Sequence, residues 1–280
     1  MNTRTSLPQD ITDDFRSGRA LAGDNLSGEA LALWYAQKKE AYFEEGADSG
    51  ATDPWYAYMR YVNGRLVFHH VAQRRPGTIL FLGAADGIEA ADFHRRHPEW
   101  RLAFIESSDS FRTALSKRFP GAEVREPGLD GRMPFADGSV DVVCAFSVLH
   151  HIANVTDVLR ETARILTPGG AVFVREPCSS MGDWRRVRSA TPNERGISRH
   201  WMLTSAAAVG LRSAGRPVPV VFEPINKMLV RTIGFRPIPM PLLYVVDRLI
   251  SRVLSVNDHY WRDTPLKKLG PSSYLFTFQK

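Results

Sequence analysis

A chain of 280 residues, 44% hydrophobic and 24% charged, is long enough for one large core with additions, and its ordinary globular composition excludes a disordered or fibrous protein. No apolar run reaches the ~18 residues of a membrane-crossing helix, the first residues lack an apolar leader core, and Cys144 and Cys178 make neither a disulfide framework nor a metal-site spacing, so a cytoplasmic protein without metal is expected. The net charge of +6 is uneven: residues 1–176 hold 20 basic and 24 acidic side chains and residues 177–280 hold 16 and 6, so the last third either faces an anionic partner (a phosphate, a carboxylate, a membrane surface) or is a basic solvated surface, while the lack of a compact Lys/Arg run or known module argues against nucleic acid.

Residues 1–28 read as a polar, partly disordered start, and 29–75 as a helical cap. Its first helix runs over 29–45 with Ser27 as cap, and its second is opened by Pro54 and runs toward Arg74. Trp55, Tyr56 and Tyr58 are either ordinary packing or pocket residues. Next comes Thr78-Ile-Leu-Phe-Leu-Gly-Ala-Ala-Asp-Gly-Ile-Glu-Ala90, a buried strand over 79–82, a turn bracketed by Gly83 and Gly87, and a helix from Ile88. Such a turn lets a ligand approach the backbone and aims a helix N-terminus at it, although a plain strand-to-helix connection looks the same. The second strand, 101–105, ends at Glu106, 19 residues past Gly87. That is close to the interval at which nucleotide-binding α/β units place a carboxylate for ribose hydroxyls.

Further strands are expected at 122–125, 140–146 and 171–175, with helices near 109–118 and 156–166. This alternation predicts an α/β fold with a doubly wound, mostly parallel sheet. Ligands of such sheets bind beyond the carboxyl ends of the strands, where Phe146, Ser147, Leu149, His150 and Glu176 fall.

From Thr78 to Arg175 the chain also carries Met133-Pro-Phe, Val140-Asp-Val-Val143, Leu149-His-His151 and Leu166-Thr-Pro-Gly-Gly170 in that order. This run resembles the class I S-adenosylmethionine-dependent methyltransferases. The resemblance implies a seven-stranded Rossmann-like sheet whose last strand is antiparallel, S-adenosyl-L-methionine as cofactor, and a methyltransferase domain over 76–280. It further implies that Gly83, Ala85, Asp86 and Gly87 lie against the methionine portion and Glu106, with Ser107 beside it, holds the ribose. Leu129 and Asp130 then face the adenine, and Phe146 is a further cofactor-binding candidate. Two positions depart from the family pattern: Phe81 stands where an acid is usual and Ala85 where a second glycine is usual. Asp86 is the substitute anchor for the cofactor's ammonium group.

After the fifth strand, residues 177–200 form a long connection rich in Arg, either a substrate loop or a solvated excursion. Trp184, Arg185, Arg195 and His200 are its candidate substrate-binding residues, because guanidinium groups grip phosphate or carboxylate in bidentate fashion. A helix is expected over 201–214 and a strand over 217–223. An insertion follows over 224–271, and the last strand over 273–279. Within the insertion, 242–256 has an amphipathic period that reads as a lid on the core or as a lipid-facing helix.

The function expected is O-methyl transfer to a polar, anionic small molecule such as a saccharide, glycolipid or natural-product intermediate. His200 and His150 are the candidate catalytic bases, since an alkyl hydroxyl must lose a proton. N- or C-methylation and a cofactor-binding scaffold without activity remain open alternatives. Peripheral membrane or lipid-linked substrate contact is a partner compatible with the basic last third.

Overall fold

The computed structural model describes residues 11–45, 54–182, 193–220 and 240–280, with backbone alone for 38–45, 54–56 and Met240. Its central sheet has the order β3-β2-β1-β4-β5-β8-β6, with β7 also paired to β8. The strands are β1 (Thr78–Leu82), β2 (Arg101–Ile105), β3 (Glu123–Arg125), β4 (Val140–Phe146), β5 (Leu166–Pro177), β6 (Arg212–Ser213), β7 (Val218–Val220) and β8 (Ser273–Gln279). β1 to β5 run parallel, and β8 is antiparallel to β5, β6 and β7.

The expected α/β architecture is therefore present, with one difference. The sixth strand is split into β6 and β7, laid along the same edge of β8 at Phe278–Gln279 and Ser273–Leu275. Pro219 sits within β7, and a proline without an N–H is tolerated on an edge strand.

Both sheet faces are covered, which is why the strands read as continuous apolar runs. One face carries Leu80, Leu82, Ala103, Ile105, Val143 and Val172 against α7 (Val155–Ile165) and α8 (Arg199–Ala208). The other carries Phe81, Phe104, Cys144 and Phe173 under Phe68, Phe93 and Phe119. Phe81 lies stacked on Phe104 at 5.9 Å and edge-on to Phe68 at 6.3 Å. An acid at that position would be desolvated among rings, so the departure from the family pattern is paid for by an aromatic core.

The helices before the sheet are α1 (Asp13–Ser17), α2 (Gly28–Glu45), α3 (Pro54–Asn63) and α4 (His69–Ala72), and α5 (Ile88–His94) and α6 (Asp109–Arg118) follow β1 and β2. The helix expected from Pro54 to Arg74 is interrupted by a π-helical turn at Gly64–Phe68, directly after Asn63. Such turns widen the backbone locally and re-aim neighbouring side chains. α8 ends at Ala208, short of the expected 214, because Gly210 in left-handed conformation turns the chain toward β6.

The last helix, α9 (Met240–Leu254), reverses the expectation of a lid seated by its apolar side. Leu243, Asp247 and Ser251 are buried, while Leu242, Val245, Leu249 and Val253 face outward. Asp247 accepts hydrogen bonds from Tyr58 Oη at 2.5 Å and Ser251 Oγ at 2.8 Å, so polar groups hold this helix to α3. Burial and the Asp247 carboxylate push the Tyr58 hydroxyl far above its ordinary range, which keeps it a donor.

Two glycines bring the first loop against its neighbours. A Cβ on Gly83 (φ +64°) would lie 2.2 Å from Val148 Cγ2, and one on Gly87 (φ +75°) 2.6 Å from Leu115 Cδ2. Gly83→Ala is expected to cost about 1–3 kcal/mol through strain and this clash. Urea unfolding monitored by tryptophan fluorescence measures it, and unchanged stability would show that the loop is not held against Val148.

Candidate active site

At the carboxyl end of β1, the segment 83–87 turns with three consecutive constraints. Gly83 and Gly87 take positive φ, and Ala85 does so at φ +47° despite its Cβ. Non-glycine residues adopt this region at a cost, and such strain concentrates where a ligand is cradled. Ala85 therefore holds the left-handed conformation that a glycine adopts without a Cβ penalty. Glu106, 7% exposed at the end of β2, binds this loop directly. Its Oε2 accepts from Ala85 N at 3.0 Å and its Oε1 from Ser108 N at 3.0 Å. Each carboxylate oxygen carries two lone pairs, so both retain capacity for hydroxyl donors.

The segment after β4 is clamped from two sides. Glu176, fully buried near the end of β5, accepts from the amides of Val148 and Leu149 at 2.7 Å each and of His150 at 3.3 Å. Its Oε2 also lies 2.7 Å from His150 Nδ1. A carboxylate only accepts, so Nδ1 carries the proton and Nε2 is left as the basic nitrogen. Arg195 takes the opposite edge. Its guanidinium donates to the carbonyls of Ala22 and His150 at 2.8 Å each, of Ile152 at 2.6 Å and of Ala153 at 3.1 Å. It lies 5.3 Å from the Trp34 ring centroid. His150 and His151 are in ring contact at 3.9 Å, and His151 Nδ1 is 3.6 Å from Glu194 Oε1.

On the other sheet face a polar cluster crosses from the cap to the strand ends. Arg175 Nε donates to Asn63 Oδ1 at 3.0 Å and Nη1 to Ser147 Oγ at 2.9 Å. Asn63 Nδ2 donates to Glu89 Oε1 at 3.0 Å. Arg175 lies over the Phe146 ring at 6.0 Å, and Ser147 holds a left-handed φ of +55°. Burial raises the Glu89 carboxyl above the ordinary carboxylate range, opposed by Arg175, Asn63 and Arg60. Arg60 Nη1 is buried without a hydrogen-bond partner among the described residues. An orphaned buried donor beside a shielded carboxyl is a site with unused hydrogen-bonding capacity.

Several expectations are corrected here. Arg195 is 0% exposed and spends its donors on backbone carbonyls, so it is a structural clamp and not a substrate contact. Burial lowers its pKa to about 10. Asp86 faces α6: its Oδ1 accepts from Ile88 N at 3.2 Å and its Oδ2 lies 3.3 Å from Arg118 Nη1, away from the polar cluster. His200 stands exposed in the first turn of α8 instead of in a loop. It lines a cleft with Cys178, Arg199, Asp258 and Tyr260, apart from the His150–Glu176 pair and the 83–87 loop.

Gly83, Ala85, Gly87, Glu106 and Phe146 are gathered at one sheet edge as expected. Ser107 is exposed, with its carbonyl accepting from Arg112 Nη1 at 2.8 Å. Leu129 is 56% exposed, and Asp130 Oδ1 closes its own turn on Arg132 N at 3.1 Å. Trp184 and Arg185 lie outside the described residues, as do the side chains of Trp55 and Tyr56. Asn63, Glu89 and Arg175 are additional site residues. Arg175 was signalled by a lone cation inside Val172-Phe-Val-Arg175, but Asn63 gave no signal in a helix read only for its apolar period.

Residues 80–174 match the methyltransferase domain family model. The demethylmenaquinone methyltransferase of Chlorobaculum parvum is 28% identical over 120 residues, covering 43% of this chain and 49% of that protein. The human thiol S-methyltransferase is 34% identical over 128 residues, covering 41% and 50%. The chain thus spans about half the length of these curated relatives. The 1,6-didemethyltoxoflavin-N1-methyltransferase of Burkholderia thailandensis, solved with its substrate and S-adenosylhomocysteine, shares the fold at TM-score 0.54 and 17% identity, covering 91% and 92%.

Residues 80–174 form a class I S-adenosylmethionine-dependent methyltransferase domain. S-adenosylmethionine is its cofactor, and the close-approach loop and the two spare acceptors of Glu106 fit that group. Arg195→Lys is expected to lower stability by about 2–4 kcal/mol, because one ammonium cannot serve four carbonyls on two segments. Thermal unfolding checks this, and an unchanged melting temperature would restore Arg195 to the substrate-loop reading.

Proposed function

We propose that the chain transfers the methyl group of S-adenosylmethionine to a hydroxyl of a polar, anionic small molecule, such as a saccharide, glycolipid or natural-product intermediate. The observation that carries this reading is the His150–Glu176 pair, 2.7 Å apart at the carboxyl ends of β4 and β5. A hydroxyl acceptor needs a base, and a carboxylate-oriented imidazole with Nε2 free of the proton has that form. When bound, the cofactor supplies an electrophilic methyl on a sulfonium.

The chain's own contribution is alignment. Glu106 holds the ribose while the 83–87 loop positions the methionine portion, and Glu89 takes over the ammonium contact that Phe81 has lost and Asp86 does not face. Arg175, fixed by Asn63 and Ser147, offers a cation to the acid group of the acceptor. This replaces the role first given to Arg195. Leu129 and Asp130 are kept as the adenine contacts, and Trp184 and Arg185 as contacts of the acceptor.

A sulfur or carbon acceptor is the second reading, favoured by the thiol and demethylmenaquinone specificities in the names of the relatives. A carbon acceptor places less demand on an imidazole base, so the pair discriminates.

Calorimetric titration with S-adenosylhomocysteine is expected to show binding that weakens at least about tenfold in Glu106→Ala. A folded wild type with no heat of binding would move the chain to the scaffold alternative. With tritiated S-adenosylmethionine and a panel of uronic acids, phenolic acids and thiols, His150→Gln is expected to lower kcat by about 10²–10⁴ for the hydroxyl acceptor. Equal turnover by His150→Gln, or labelling confined to thiols, would sink the hydroxyl reading.

A further inference from the structure

The outer face of α9 is continuous and apolar: Leu242, Val245, Val246, Leu249, Ile250 and Val253 follow one another at helical spacing, with Leu249 64% and Val253 70% exposed. The inner face is the polar one, since Asp247 and Ser251 are buried against Tyr58. A helix that folds with its polar residues inward and its apolar stripe outward has not used that stripe for its own core.

The chemistry around the stripe indicates what covers it. Val256, 90% exposed, prolongs it beyond the helix. Asn257 then donates to the carbonyls of Leu266 at 2.7 Å and Leu269 at 3.1 Å, tying in a short turn, Leu266-Lys267-Lys268-Leu269. Both leucines are exposed, at 74% and 57%. Arg252 and Lys268 are exposed as well. The acids of residues 240–270 do not offset them: Asp247 is buried, Asp258 pairs with Arg199 at 2.9 Å and Asp263 with Lys267 at 2.7 Å. At the inner flank Tyr244 packs edge-on to Tyr61, 5.9 Å away, giving the amphipathic aromatics common at a membrane boundary.

We infer that α9 and the 266–269 turn form a docking surface for an anionic membrane, with the helix lying in the headgroup plane. A second copy of the chain would bring the same cations to a two-fold contact, whereas an acidic bilayer supplies the opposite sign and an apolar layer together. No helix among the described residues is long and apolar enough to cross a membrane, so the contact is peripheral. α9 packs on Tyr58, Met59 and Val62, one residue from Asn63 of the polar cluster. The docked face is thus one helix layer from the proposed acceptor site, although the surface stands independently of the acceptor's chemistry.

The test is co-sedimentation of the full chain with vesicles of phosphatidylcholine alone or with about a third phosphatidylserine. Binding is expected to the mixed vesicles, weakened by salt, and reduced at least about tenfold by Leu249→Glu with Val253→Glu. Lys267→Gln with Lys268→Gln is expected to reduce it less and to shorten the salt dependence. Thermal unfolding of each variant confirms that the fold persists, Leu249, Val253 and Lys268 being exposed and Lys267 half-buried. A wild type that ignores both vesicles overturns the inference. If sedimentation velocity then shows a dimer that Leu249→Glu dissociates, the face belongs to a second copy; a monomer leaves the membrane reading equally refuted.

Discussion

The segment from Val148 to Ala153 depends on being hydrogen-bonded from outside itself. It is largely shielded from solvent and holds a single 3-10 turn at Leu149–His151, which satisfies only part of its backbone, so the remaining amides and carbonyls need partners. Glu176 meets the amides and Arg195 the carbonyls, one acceptor group and one donor group placed on opposite edges. Much of the site follows from this arrangement. Val148 is pressed toward Gly83, His150 is set on a carboxylate, and Ser147 is held at a positive φ next to Arg175. Two charged side chains fully buried in the same region would be costly apart, and each is tolerated because its hydrogen bonds are used, those of Arg195 on backbone carbonyls and those of Glu176 on backbone amides and the His150 ring.

The two sides of the sheet divide the chemistry. The face that holds Phe81 is packed with stacked rings, and a carboxyl, Glu89, enters it from the first turn of the following helix. Its burial raises the carboxyl and is only partly opposed by Arg175, Asn63 and Arg60, which share the enclosure with it. On the proposed function, the charge that Phe81 does not supply is relocated by one element, to helix α5.

α9 illustrates a second relocation. Its periodicity is that of a helix with one apolar stripe, and most such stripes face the core. The hydroxyl of Tyr58 and the carboxylate of Asp247 reverse the orientation, because a buried pair of complementary polar groups seats a helix as firmly as a few aliphatic contacts. The apolar side is thereby freed for another surface.

The sequence by itself determined the sheet, its parallel half and the glycine-bracketed turn at 83–87, because strand alternation, paired glycines and a carboxylate at a fixed interval are local patterns. It also indicated His150 and Glu176 as residues at the strand ends. Only the tertiary structure decided that Arg195 is a clamp, that Asp86 turns to Arg118, and that His200 lies in a separate cleft. It alone joined Asn63, Glu89 and Arg175 across 112 positions of chain. The physical reason is that a charged residue looks the same in sequence whether its hydrogen bonds go to backbone, to another side chain or to a ligand. Which of these it meets depends on contacts between segments distant along the chain, and for a helix such as α9 those contacts also decide which face is inside.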